Sequence, residues 1–128
     1  MTCPKLKIWR AICLMEASRY LEALILLDQF QGDSSLYAIS RINKLFCYWL
    51  QDKPQKTAGV YLELEKLGLN DGTLKALSLF VDTPYYKKKG DKVHLEKEEM
   101  SLFHEMIQRV LASRKAAQAL DILELIDL

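Results

Sequence analysis

The chain is interrupted at short intervals, and the stretches between the interruptions carry apolar residues three and four positions apart. Gly32-Asp33-Ser34-Ser35, Asp52-Lys53-Pro54, Gly68, Asn70-Asp71-Gly72, Thr83-Pro84, Gly90-Asp91 and Ser113 are the breaks. Between them, Leu36, Ile39, Ile42, Leu45, Phe46 and Trp49 recur with the period of one helix face, as do Met100, Phe103, Ile107 and Val110. Strict alternation, the mark of a half-buried strand, is missing. Leu79-Phe80-Val81 comes closest, but it continues the helical run from Leu74 and Leu77. The pattern predicts an all-α protein of seven helices, at about 4–17, 19–31, 34–50, 54–67, 72–83, 93–112 and 115–127. The short breaks make antiparallel hairpins of neighbouring helices.

The ends of these helices carry recognisable chemistry. Pro4 suits a first turn, and Ser34-Ser35 and Asp71 suit caps. Gly68 is a natural stop, and the residue before Pro84 is pushed out of the helical region. Glu96, Glu98 and Glu99 open the sixth helix and Arg109 closes it, as the helix dipole favours.

Composition narrows the class. The chain has 128 residues, half of them hydrophobic, with 18 Lys and Arg against 17 Asp and Glu. That is one domain's worth of chain, residues 1–128, with a real core. It is not a disordered segment, and its formal charge of +1 weighs against a surface built for nucleic acid. Cys3, Cys13 and Cys47 have no CxxC spacing. Cys13 and Cys47 sit in apolar runs, where reduced thiols act as small buried hydrophobes. Lys7, Arg10 and Glu16 break any secretory core near the start. The runs 11–15 and 23–27 fall far short of the ~20 apolar residues that span a bilayer. The expectation is a soluble protein of the cytoplasm, or of the nucleus in a eukaryotic cell, with no membrane partner.

One stretch has a more specific look. In Ala17-Ser18-Arg19-Tyr20-Leu21-Glu22-Ala23-Leu24 a helix ends on small residues and Glu-Ala-Leu opens the next. The pair Ala23 and Leu27 recurs as Ala58 and Leu62, thirty-five residues on, and as Ala119 and Leu123. This resembles the turn of a tetratricopeptide (TPR) repeat, whose period is about 34 residues. The resemblance implies a right-handed stack of hairpins at 4–31, 35–67 and 93–127, with 72–92 as an irregular insert. Lys7 and Arg10 stand where the family has bulky apolar residues, and Phe46 and Ile107 stand at its small position.

Catalysis is not expected. His94 and His104 lie about 80° apart around one helix, and no HExxH, Glu-x-x-His or glycine-rich phosphate loop occurs. No cofactor or metal is expected either. The one local charge anomaly is Tyr85-Tyr86-Lys87-Lys88-Lys89-Gly90-Asp91-Lys92, with four Lys and one Asp. It reads as a solvated loop able to grip an acidic protein segment. Stacking bases and holding phosphates is the alternative, which would make the chain a helical nucleic-acid module.

The resemblance implies a protein–protein interaction module: an adaptor, assembly subunit or chaperone that holds a helical or extended partner segment in a groove. Tyr85, Tyr86, Lys87, Lys88 and Lys89 are candidate partner contacts. The last helix supplies more. Seven of its final ten residues are apolar, so Ala119, Leu123 and Ile126 should face its neighbour. Leu120 and Leu128 should look outward and Leu125 partly so, making an interface for a partner or a second copy.

Overall fold

The structure is a computed structural model that describes residues 3–127. Those residues form an all-α protein with eight helices: α1 (Pro4–Glu16), α2 (Tyr20–Leu27), α3 (Tyr37–Leu50), α4 (Pro54–Lys66), α5 (Asp71–Val81), α6 (Thr83–Lys89), α7 (Lys97–Ala112) and α8 (Ala116–Leu123). They group into two compact units, residues 1–67 and 68–128.

In the first unit each helix packs on the next, and α1 also meets α3. Ile8, Ala11 and Met15 of α1 share one face because they lie three or four residues apart, and all three are buried. They join Ala23, Leu27, Leu45, Phe46, Leu50, Val60 and Leu64 in the core. Arg41 is buried on α3. It donates to the Leu27 carbonyl (2.9 Å) and to Asp28 Oδ1 (3.0 Å), and it lies 5.1 Å from the Tyr37 ring centre. The guanidinium thus meets the carbonyl end of α2, where a cation is favoured, and ties α2 to α3. Cys47 is buried as expected, but Cys13 is exposed on the outer side of α1.

Three helix-to-helix turns have one geometry. Ser18, Asp52 and Arg114 are all left-handed, at φ 62°, 56° and 61°. In each turn the following residue donates its N–H to a carbonyl five residues back: Arg19 to Leu14, Lys53 to Tyr48, Lys115 to Val110. The next helix then starts with the same bond, Ala23 to Arg19, Thr57 to Lys53 and Ala119 to Lys115. The residues equivalent to Ala23 are therefore Thr57 and Ala119, and all three are 2% exposed or less. This corrects the second repeat pair. Ala58 is only half-buried and Leu62 is 57% exposed. The inner face of α4 is Thr57, Val60 and Leu64, one residue out of register with the Ala/Leu pair. The Thr57 hydroxyl is satisfied inside by the Lys53 carbonyl at 2.8 Å.

In the second unit α5 packs on α7, α7 on α8, and α6 on α5. Ala76, Leu77, Leu79, Phe80, Phe103, Met106, Ile107, Val110, Ala119 and Ile122 are buried, and the Phe80 and Phe103 rings lie 5.9 Å apart. Within residues 72–92 the expected helix forms as α5, and the stretch expected as a loop forms α6 over Thr83–Lys89. Asn70, rather than the expected Asp71, caps α5 by accepting from the Thr73 N–H, and α5 ends at Val81, before Pro84 as the sequence predicts. Pro84 then opens α6, because a proline in the first turn has no N–H to leave unpaired.

The last hairpin is shorter than expected. A reciprocal capping box between Glu96 and Glu99 starts α7 at Lys97, four residues after the expected Val93. Val93 is extended instead. It donates to the Leu125 carbonyl and accepts from the Asp127 N–H, both at 2.8 Å, in an isolated parallel bridge with Ile126. That pairing draws the chain out of helix after Leu123. It also overturns the outward placing of Leu125, which is 6% exposed, beside Ile126 at 4%. Leu128 lies outside the described residues.

Candidate functional site

The sequence points to two patches in the second unit, the Tyr/Lys run and the last helix. Helix α6 and the end of α8 lie side by side, so that Tyr86, Lys87 and Leu125, of the expected contact residues, come together. Lys87 Nζ is 3.2 Å from Asp121 Oδ1 on α8, and Lys92 Nζ donates to the Glu124 carbonyl. A cleft of about 160 Å³ lies between them, lined by Tyr86, Lys87, Asp121 and Leu125 among others. Leu120 is 57% exposed beyond it.

The run itself is helical rather than a free loop. Tyr86 turns inward, its hydroxyl 2.9 Å from Ser78 Oγ, and its ring meets the edge of the exposed Tyr85. Lys87, Lys88 and Lys89 fill the last turn of α6, and Gly90 ends it at φ 81°. Cations there face the negative end of the helix dipole and stabilise it by about 0.3–1 kcal/mol each at low salt. The helix therefore accounts for three adjacent lysines without a ligand. Lys88, Lys89 and Tyr85 remain exposed.

The first unit carries a surface that the sequence patterning did not single out. On α1, Leu6 is 65% and Trp9 59% exposed, and Cys13 is exposed beside them. At 100° per residue these three fall within about 60° of one another, opposite the buried Ile8, Ala11 and Met15. Exposed Lys5 flanks this stripe on one side and exposed Arg10 on the other. On the other side of α1, towards the buried face, a cleft of about 270 Å³ is lined by Pro4, Lys7, Gln29, Phe30, Asp33 and Ser34. On α2, Leu21 and Ile25 form a second outward apolar pair. The signal for this surface was in the sequence, in the cations at Lys7 and Arg10 where the resembled repeat would be apolar.

No family model, curated protein or solved structure matches this chain. Its functional reading therefore rests on its own surfaces. Among the described residues no group of three or more His, Cys, Asp or Glu side chains could hold a metal ion. No helix among them is long and apolar enough to cross a membrane. A charged pair also marks the turn between α1 and α2. Arg19 donates twice to Glu22, at 2.8 and 2.6 Å, and that hydrogen bonding holds the Glu22 carboxyl below its ordinary range.

Proposed function

We propose that this protein is an interaction module of the helical-hairpin, TPR-like kind, which holds a segment of a partner protein as an adaptor, assembly subunit or chaperone. One observation carries the reading. Large apolar side chains stand outward in pairs, one helical turn apart, on the first hairpin, whose inner face is already filled. Leu6 with Trp9 and Leu21 with Ile25 are such pairs, while Ala11, Ala23 and Leu27 beneath them are fully buried. The fold does not need the outer pairs for its core, and clustered apolar surface usually marks a contact site. The turn repeated at Ser18 and Asp52 supports the same reading, because the two hairpins of the first unit pack on each other and stacked hairpins expose extended surfaces suited to peptide segments. The basic α6 is a second contact region in this proposal, with Tyr85, Lys88 and Lys89 open to solvent.

The test is photo-crosslinking from residue 9, residue 21 and residue 85 of the full chain, with the exposed residue 55 on α4 as control. A protein crosslinked from the first three and not from the control, and then bound by the purified chain, is the expected result. Crosslinks spread evenly over all four positions, or only to nucleic acid, would overturn it.

A further inference from the structure

The outer face of α1 goes against the physics of its own helix. Lys5 and Lys7 sit at its N-terminal end, where the dipole is positive and acids are favoured. The first turn has no acidic residue, and Cys3 at the cap makes no side-chain hydrogen bond to the helix. Each choice weakens the helix start slightly. Local rules are broken most often where a surface serves something other than the fold. Here the broken rules leave a narrow apolar stripe, Leu6, Trp9 and Cys13, between the cations Lys5 and Arg10.

We propose that this face docks an acidic amphipathic helix of a partner protein. The inference rests on the interaction-module reading and names the partner chemistry for its first unit. The stripe runs from Leu6 to Cys13, about 10 Å along the helix, which matches two turns of a helix laid against it. Trp and Arg are the side chains that most often anchor such contacts, and Trp9 and Arg10 stand at the centre of this one. Acids flanking the partner's own apolar stripe would meet Lys5 and Arg10. Those that meet Lys5 would also lie beside the positive end of α1, so there the two charge effects add.

An anionic lipid surface is the competing occupant for a basic helix with an exposed tryptophan. It rewards a wide apolar face. The inward side of α1 is already spent on Ile8, Ala11 and Met15, leaving only the narrow stripe.

The test uses the full chain and three synthetic helical peptides that share one leucine stripe and carry Glu, Gln or Lys on its flanks. Binding is followed by the amide shifts of residues 5–13. The Glu peptide should bind about ten-fold more tightly than the Lys peptide at low salt, and the gap should close as salt rises. The double substitution Lys5→Glu with Arg10→Glu should reverse the order. Both side chains are exposed, so the fold should be kept, checked by circular dichroism. Equal binding of the three peptides, or none by about 1 mM, would overturn the proposal. So would shifts elsewhere, or stronger binding to phosphatidylcholine–phosphatidylserine vesicles than to the Glu peptide. A partner crosslinked only from residue 85 would leave the interaction module standing and remove this docking face.

Discussion

The shared turn geometry makes a sharp claim about register, and Ala23→Leu beside Ala58→Leu tests it. Ala23 is fully buried where α2 crosses α1, in line with Thr57 and Ala119. A leucine there brings three more carbons to a contact with no solvent-facing side, and no water-exposed surface is gained by burying them. Overpacking of this kind costs about 1–3 kcal/mol. Ala58 sits one residue out of that register and is only half-buried, next to exposed Gly59, where a new Cβ would meet nothing within 4 Å. Leucine and alanine are both good helix formers, so Ala58→Leu should change stability by no more than about 0.5 kcal/mol. In a chain of this length each kcal/mol moves Tm by about 4 °C. Thermal unfolding followed at 222 nm should therefore show Ala23→Leu melting about 4–12 °C below the parent and Ala58→Leu within about 2 °C of it. If Ala58→Leu falls as far as Ala23→Leu, the second hairpin crosses at Ala58 and the assigned equivalence of Thr57 is wrong.

Leu125→Glu should destabilise the protein by about 3 kcal/mol or more, because it puts a carboxylate where only 6% of the residue reaches solvent, whereas Leu120→Glu should be tolerated; urea unfolding separates the two. Val93→Pro removes the donor to Leu125, and the Asp127 amide should then exchange with solvent much faster in hydrogen-exchange measurements. Replacing Lys87, Lys88 and Lys89 together with Ser should leave the protein folded, at a cost of about 1–3 kcal/mol. The Lys87–Asp121 pair is half-exposed and the dipole contribution is small, so a loss of helical signal in circular dichroism would contradict the surface placing of α6. Glu22 has a lowered folded-state pKa, so its contribution is present above the ordinary carboxylate range and lost as pH falls through the folded value. Glu22→Gln should flatten that part of the stability–pH curve, and an unchanged acid limb would mean that the Arg19 contact does not persist in solution.

What the sequence alone determined is local. Apolar spacing marked the helical class and most inner faces: Phe103, Ile107 and Val110 are buried where the period of three and four residues puts them, although Met100 on the same expected face is 39% exposed. Pro84, Gly68 and Asn70-Asp71 marked real boundaries, because their backbone chemistry acts within a few residues. The outward position of Leu120 also follows from its own helix. Tertiary structure decided the rest. Thr57 rather than Ala58 is buried because the phase of α4 is set by the turn at Asp52, and one residue turns a side chain by 100°. Leu125 is buried because its backbone carbonyl accepts from Val93, more than thirty residues away, a bond that no window of sequence contains. The lysine run looked like a loop because its period was obscured by charge; Tyr86 reaching Ser78 supplied the inner contact that lets seven residues form a helix. Nor did the apolar pattern mark Leu6 and Trp9 as exposed. A periodicity counts apolar residues on each face, but only the neighbouring helices determine which of those faces is covered.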